Sequence, residues 1–240
     1  MRIIFAGKGE RGQMCLDYLI KHNYRPILLV GQFTKTHGIK VFQTTNINSD
    51  KSFNYLKRLN PELLILASFT QILKKRLLDL PQKGTINLHG GRLPQYRGAS
   101  VLNWQIINGE PKIGISIIFV DEGIDTGDII SQATFPLKPK DTIAEVVKTT
   151  LKLFPQMLLK TVRQIEADTV KRIPQEKSKG KLYKKRRPED GLIDRDNLSA
   201  WQVYNFVRAL THPYPGAFYF KGKKKIMVWK TKLPFLPQTD

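Results

Sequence analysis

Residues 1 to 12 read MRIIFAGKGERG, an apolar run that passes into three closely spaced glycines. The run over residues 2–6 predicts a buried strand. Gly7, Gly9 and Gly12 have the G-x-G-x-x-G spacing of a turn that leads from a strand into a helix, here expected over about residues 10–20. This order of elements is typical of the first unit of an α/β fold.

The second predicted strand shows whether that turn could serve a dinucleotide. The strand covers residues 26–30 and is followed by Gly-Gln, with no acidic side chain there to bind a ribose. The sequence therefore excludes NAD binding. Two interpretations of the glycine turn stay open: a phosphate site at the helix N-terminus near Lys8, Gly9 and Arg11, or a plain connection.

Two further apolar runs predict strands of the same sheet. Residues 61–68 (PELLILAS) are almost continuously apolar, as in a central strand covered on both faces. Residues 115–120 form another run, which leads into a loop with two glycines. The expected architecture is a mostly parallel sheet with helices on both faces.

Residues 84–98 (GTINLHGGRLPQYRG) and 119–130 (FVDEGIDTGDII) contain an amide, an imidazole and a carboxylate in segments that can converge. Asn87 and His89 are two residues apart in an extended stretch, so they share one face. Asp125 follows a predicted strand, and strand ends in an open parallel sheet border the crevice where ligands bind.

These three groups suit the transfer of a carbonyl unit to an amine without a covalent enzyme intermediate. His89 can carry the proton of the amine, because the unperturbed pKa of histidine lies near cellular pH. Asn87 can donate an N–H to the oxyanion. Asp125 can orient the imidazole, favour its charged form or hold a relaying water. Taken singly, each is also an ordinary structural residue of a strand end or loop.

The pattern N-x-H, then L-P-x-x-R-G, then D-x-G-x-D-T-G-D resembles the formyltransferases that use 10-formyltetrahydrofolate. The likeness continues through PEDGLID (188–194) and NFVRALTHPYPGA (205–217), so it covers most of the chain. It implies a Rossmann-like N-terminal domain and a catalytic role for Asn87, His89 and Asp125.

The resemblance also implies where the folate binds. In the family, the backbone at the positions of Gln71 and Leu73 faces the pterin ring, as does the loop that contains Asp121, Glu122 and Gly123. Backbone donors and acceptors on two loops suit a flat heteroaromatic ring with polar groups along one edge. The stretch around Gln71 could instead simply begin the next helix.

The stretch LHGGRLPQYRGASVLNWQIINGE (88–110) looks most like the sugar nucleotide N-formyltransferases within that family. The resemblance implies an acceptor amine on a 4-amino-4,6-dideoxy sugar linked to UDP or dTDP. We expect Arg97 and the basic loop to contact the diphosphate, and Tyr96 or Trp201 to border the sugar or the base.

Two other functions stay open. A methionyl-tRNA formyltransferase would share the motifs, but such enzymes carry a five-stranded C-terminal barrel that contacts the tRNA, and only about fifty residues follow PEDG here. A non-catalytic nucleic-acid-binding protein would also be basic. Nucleic acid is therefore the less favoured partner.

The chain carries 40 Lys and Arg residues against 20 Asp and Glu, a formal net charge of +20. Residues 171–187 and 221–232 hold much of the excess. Such a charge attracts any polyanion. The two segments are therefore interpreted either as a lysine-rich solvated surface or as a recognition surface for a phosphate-bearing substrate.

Changes in composition divide the chain into a catalytic domain (1–173), a basic loop or linker (174–198) and a small C-terminal helix and β-hairpin (199–240). A long helix is predicted from residue 141 or 142 onward, and Pro155 should kink or split it.

The C-terminal part begins with a helix start at Ser199 and Gln202, which have the spacing of a capping box. The hairpin that follows is marginal alone, so it should pack on the first domain or on a second subunit. The resemblance favours a homodimer through this region.

Several classes of protein are disfavoured by composition. No apolar run approaches the roughly 20 residues of a membrane-spanning helix, and MRIIFAG is too short for a signal peptide. Cys15 is the single cysteine, and the four His residues lack metal-ligand spacing. The sequence predicts a cytoplasmic protein without a metal.

Overall fold

The computed structural model describes residues 1–176 and 179–233 and contains a central seven-stranded sheet with the strand order β3-β2-β1-β4-β5-β7-β8. The five strands from β3 to β5 pair in parallel, whereas β7 and β8 extend the sheet with antiparallel pairings. The strands are β1 (Ile3–Gly7), β2 (Leu28–Gly31), β3 (Val41–Phe42), β4 (Leu63–Ala67), β5 (Thr85–His89), β7 (Lys112–Phe119) and β8 (Ile129–Pro136).

Helices cover both faces of the sheet, as the sequence predicted for an α/β, Rossmann-like fold. Alternate residues of β1 enter two separate hydrophobic clusters: Ile3 and Phe5 pack with α1 and α5, while Ile4 and Ala6 pack with α2 and α3. The helices are α1 (Gly9–Lys21), α2 (Asp50–Arg58), α3 (Lys75–Leu78), α4 (Val101–Ile107), α5 (Ile143–Glu166) and α6 (Ala200–Leu210).

The structure excludes two local possibilities that the sequence left open, a split at Pro155 and a helix that begins near Gln71. The long helix α5 is not split at Pro155, because the proline lies within a buried stripe that includes Phe154 and Leu158. Burial of that stripe outweighs the roughly 3 kcal/mol that an internal proline costs a helix. The stretch around Gln71 begins no helix and forms a loop between β4 and α3.

The predicted linker is more ordered than its composition suggested. Within it, Lys181–Tyr183 forms a short strand, β9, that pairs in parallel with β6 (Tyr96–Gly98) next to the candidate site. A 3-10 helix at Pro188–Gly191 follows. Residues 177 and 178 of the predicted basic loop lie outside the described residues.

The C-terminal part packs on this same chain. Helix α6 begins with the predicted capping box at Ser199 and Gln202, and β10 (Ala217–Lys221) forms an antiparallel hairpin with β11 (Lys224–Val228). Buried side chains of this part belong to the cluster that covers one face of the sheet. They are Val207, Ala209, Leu210 and Ala217, and Ile193 of the predicted linker joins them.

Among the described residues, no helix combines the length and the apolar character required to cross a membrane.

Candidate active site

Strand β5 and the loop after β7 bring the three predicted catalytic side chains together. Asn87 and His89 point to one face of β5, and one carboxylate oxygen of Asp125, Oδ1, lies 3.4 Å from both Asn87 Nδ2 and His89 Nδ1. The three side chains therefore meet at one carboxylate oxygen. Their catalytic role itself stays a prediction.

The path of the chain that places Asp125 beside Asn87 and His89 differs from the one predicted. Strand β7 runs antiparallel to β5, so its end at Phe119 lies beside Ile86, near the beginning of β5. The chain must then return past β5 to reach Asn87 and His89. Convergence at the carboxyl ends of parallel strands was therefore the wrong reason for the proximity, although the residues do meet.

The imidazole of His89 is held in one orientation. Its Nε2 lies 2.7 Å from the carbonyl oxygen of Tyr96, and the side chain is only 5% exposed. A carbonyl oxygen accepts hydrogen bonds and cannot donate one, so Nε2 carries a hydrogen. Nδ1, which faces Asp125, is therefore the nitrogen that can exchange a proton.

The carboxylate of Asp125 is fixed by the backbone around it. The N–H of Gly98 donates to its Oδ2 at 2.9 Å. Asp125 itself has a φ of 52°, in the left-handed region that few residues other than glycine adopt. The site thus holds one aspartate in a disfavoured backbone conformation, which requires support from its neighbours.

Part of that support comes from Gln175, which no pattern in the sequence identified. Its Nε2 donates to the carbonyl oxygens of Asp125, at 3.0 Å, and of Gly127, at 2.6 Å. Gln175 lies fifty positions after Asp125, in the predicted linker. Only the tertiary fold brings the two together.

A cavity of about 160 Å³ opens beside this set, between the loop after β4 and the loop after β7. Asn87 and Asp125 line it, whereas the buried His89 does not. Its apolar walls come from Phe69, Leu73, Ile118 and Val120 together with neighbouring residues.

Most of the predicted pterin-binding residues surround this cavity. Gln71, Leu73, Asp121 and Gly123 all line it. Glu122 does not: its side chain is 66% exposed and lies 3.5 Å from Lys75. The carboxylate therefore points to solvent, and only the backbone at this position could belong to a binding site.

Side-chain hydrogen bonds hold both loops in place. The amide of Gln71 accepts from the backbone N–H of Ile47 and donates to the carbonyl oxygen of Thr44. The carboxylate of Asp121 accepts from Gly123 N–H and from the hydroxyl of Thr126. These side chains are thus occupied in shaping the loops, which leaves backbone groups to face the cavity.

A second cavity, of about 410 Å³, shares the wall formed by residues 69–71 with the first. It lies at the carboxyl ends of β1 and β2, and Lys8 lines it. Gly9, which begins α1 with a φ of 65°, adjoins Lys8 without lining the cavity. The cationic Lys8 therefore lines a cavity that adjoins the one lined by Asn87 and Asp125.

Arg11 does not take part in that cavity. Its guanidinium lies 4.8 Å from the ring of Phe154, and burial lowers its pKa. Cys15 and Tyr214 are its electrostatic neighbours. The side chain leaves α1 on the face that packs against α5, so the predicted phosphate contact is not observed at this position.

The three predicted acceptor-site residues lie in different surroundings. Tyr96 stacks on Tyr183 with ring centroids 5.0 Å apart, its hydroxyl donates to Glu110, and burial raises its pKa. Arg97 is half-buried and donates to the carbonyl oxygen of Gly180. Trp201 lies on α6, at the edge of Tyr204, and lines neither cavity.

In the part of the chain that the structure describes, no group of three or more His, Cys, Asp or Glu side chains could hold a metal ion.

An α/β sheet with an amide, an imidazole and a carboxylate beside a cavity suits a group-transfer enzyme of the acyl-transfer type. Comparison with known families identifies which one. Residues 32–162 match the formyl transferase family model, and residues 185–236 match the model of the formyl transferase C-terminal domain. The chain belongs to the formyl transferase family.

Individual relatives agree with that assignment. The chain is 40% identical to the bifunctional polymyxin resistance protein ArnA of Wigglesworthia glossinidia brevipalpis, over 98% of this chain and 38% of the relative. It is 36% identical to the methionyl-tRNA formyltransferase of Ruminiclostridium cellulolyticum, over 96% of this chain and 79% of that protein.

A solved structure shows the same fold. A sugar N-formyltransferase from a Shewanella species superimposes with a TM-score of 0.78 and covers 99% of both chains, at 18% identity. That likeness extends from β1 through the C-terminal hairpin.

Proposed function

We propose that this formyltransferase moves the formyl group of 10-formyltetrahydrofolate to the amine of a 4-amino-4,6-dideoxy sugar linked to UDP or dTDP. The observation that carries the proposal is the approach of Asn87 and His89 to one oxygen of Asp125 beside a cavity. Formyl transfer is the activity of the family; the folate contacts and the sugar acceptor are the proposed parts.

The first cavity fits the pterin end of the donor. It is narrow and apolar on its walls, and the side chains of Gln71 and Asp121 are occupied within their own loops. Backbone groups near Gln71, Leu73 and Gly123 then remain to bind the polar edge of the ring. When bound, the donor supplies an activated formyl carbon for the amine.

Each of the three proposed catalytic residues has a separate role in the transfer. One N–H of Asn87 faces Asp125, and the other is available for the carbonyl oxygen as negative charge develops there. Loss of such a donor costs about 3–4 kcal/mol of barrier. His89 accepts the proton of the amine at Nδ1, and Asp125 stabilises the imidazolium that forms. The imidazolium then returns this proton to the departing folate nitrogen as the bond between that nitrogen and the formyl carbon breaks.

Substitution tests these assignments. His89→Ala and Asp125→Ala should each reduce turnover by about 100-fold or more, because general acid–base catalysis contributes that much. The measurement is release of tetrahydrofolate in the presence of an amino sugar nucleotide.

His22→Ala is the matched control for this test. The Nδ1 of His22 also lies 2.7 Å from a backbone carbonyl oxygen, that of Tyr18, but His22 lies at the C-terminal end of α1 and lines neither cavity. Its loss should leave turnover unchanged. Wild-type rates from a folded His89→Ala protein would remove His89 from the mechanism.

The sugar nucleotide is supported by the likeness of residues 88–110 to that branch and by the second cavity. Lys8 gives this cavity a positive charge, which suits a diphosphate, and the cavity adjoins the one lined by Asn87 and Asp125. The alternative is aminoacyl-tRNA, which is favoured by 36% identity to a methionyl-tRNA formyltransferase and by the net charge of +20.

One panel of acceptors distinguishes the candidates. We expect tetrahydrofolate release with a UDP- or dTDP-linked amino sugar and no retention of tRNA near physiological salt. An enzyme acting on tRNA would instead formylate methionyl-tRNA and bind it with an affinity that falls steeply as salt rises. A nucleic-acid-binding protein without activity would release no tetrahydrofolate with any amine.

A homodimer through the C-terminal hairpin is also proposed. The aromatic side chains of Phe220 and Trp229 are 53% and 39% exposed there, which favours coverage by a second subunit. Sedimentation of the wild-type protein and of Phe220→Lys would test it, since the substitution should yield monomers.

A further inference from the structure

The segment after α5 returns to the candidate active site instead of leading away from it. Ile173 forms an isolated bridge with Ile129, the first residue of β8, with hydrogen bonds of 2.8 and 2.9 Å in the two directions. This bridge places the residues that follow beside the loop that carries Asp125.

Gln175 fastens that loop at two points. Its single amide nitrogen donates to the carbonyl oxygens on both sides of Thr126, those of Asp125 and Gly127. Both neighbours are acceptors, so the nitrogen and not the oxygen of the amide must face them. A planar –NH₂ group is the smallest side-chain group that provides two such donors.

The loop requires this restraint because its backbone adopts a disfavoured conformation and is closely packed against the end of β7. Asp125 has a φ of 52°. A Cβ at Gly127 would lie 1.9 Å from the carbonyl oxygen of Phe119. Residues held in such conformations persist where surrounding contacts over-determine them.

We propose that Gln175 is a positioning residue for the catalytic carboxylate. It holds the backbone of Asp125 from one side, while Gly98 holds Oδ2 from the other, so that Oδ1 stays between Asn87 and His89. The inference rests on the proposed function, because it gives Gln175 a part in catalysis that passes through Asp125.

A double-mutant cycle tests this. Gln175→Ala and the nearly isosteric Gln175→Glu should each lower kcat by up to about 100-fold, the effect of a displacement near 1 Å, and leave KM within about threefold. In an Asp125→Asn background the same substitutions should cost less than about twofold, since residues that act as a unit are not additive.

A spectroscopic measurement on the free protein accompanies the kinetics. The imidazole NMR signals of His89 should move in Gln175→Glu, because its contact with Asp125 changes. They should not move in Gln13→Ala, which removes a glutamine that clamps the backbone of residues 34 and 35 away from the site. Gln13→Ala should also keep the wild-type kcat.

The outcomes separate the two hypotheses. Full activity in Gln175→Glu, or equal losses in the wild-type and Asp125→Asn backgrounds, would overturn the positioning role alone. Full activity in Asp125→Asn would overturn the catalytic assignment of Asp125, and the positioning role with it.

Discussion

Gly98 meets two requirements at one position. Its N–H donates to Asp125 Oδ2, and its φ of 94° is a conformation that side chains rarely adopt. A Cβ there would lie 2.3 Å from the carbonyl oxygen of Tyr183, in the β9 strand. We expect Gly98→Ala to cost about 1–3 kcal/mol of folding stability and to reduce turnover by up to about 100-fold.

Gly222 supplies the control for that substitution. It also has a positive φ, of 59°, but a Cβ at this position would meet no atom within 4 Å. Gly222→Ala should cost about 1–2 kcal/mol and leave turnover unchanged. Denaturation midpoints and tetrahydrofolate release measure the two effects. Equal turnover in both variants would mean that the Gly98 hydrogen bond does not matter for catalysis.

At the same scale, the candidate site shows what a sequence can and cannot predict. The placement of Asn87 and His89 on one face depends on a two-residue spacing. Because this spacing is local, it can be recognised from the sequence alone. Gln175 could not be found in this way, since its partners Asp125 and Gly127 lie 50 and 48 positions away and its neighbours in sequence carry no periodic pattern. Arg11 lies over Phe154 and outside the second cavity, because the position of a residue on a helix, not its nearness in sequence to Lys8, decides where its side chain points.

Helix α5 begins with a capping box that contains an ionisable group. The hydroxyl and the backbone N–H of Thr142 donate to the carboxylate of Glu145, and these hydrogen bonds hold its pKa below the ordinary value of 4.5. A lowered carboxylate pKa stabilises the fold above about pH 4.5, and this contribution is lost as the pH falls through the folded-state pKa.

Glu145→Gln should therefore be less stable than the wild type at pH 7, by about 0.3–1 kcal/mol because the residue is exposed. The difference should close as the pH falls below 4.5. The capping box of α6 has the neutral Gln202 at the same position, so Gln202→Glu should show the opposite effect. Urea unfolding at several pH values measures both; a gap that persists at low pH would contradict the explanation.

Elements defined by tertiary contacts were the least predictable ones. The capping box of α6 and the hairpin follow from local patterns, and they appear where expected. The short strand β9 pairs with β6, which lies more than eighty residues earlier in the chain, so no local periodicity in the sequence predicts this strand. The unbroken α5 likewise depends on burial of the face around Pro155.

At the scale of the whole molecule, one hydrophobic cluster contains side chains of both the catalytic and the C-terminal parts, and this affects how the chain unfolds. Val207 and Leu210 of α6 and Ala217 of β10 lie in the same hydrophobic cluster as Phe5 and Phe154 of the catalytic part. Composition divided the chain into three segments and left open whether the C-terminal hairpin packs on the first domain or on a second subunit. This continuous packing favours cooperative unfolding of the catalytic and C-terminal parts together. Neither part can expose the shared cluster to water without a large cost in free energy.

Leu210→Ala tests that cooperativity. The side chain is 5% exposed, so its truncation should cost about 2–5 kcal/mol through lost burial and the cavity that remains. If the chain is one unit, far-ultraviolet circular dichroism and tryptophan fluorescence should shift together to a single lower midpoint, since Trp104 lies in the catalytic part and Trp201 in the C-terminal part. The opposite outcome would be two separate transitions, in which the substitution lowers the midpoint only for the fluorescence of the C-terminal part. That outcome would show that α6 and the hairpin unfold as an independent domain.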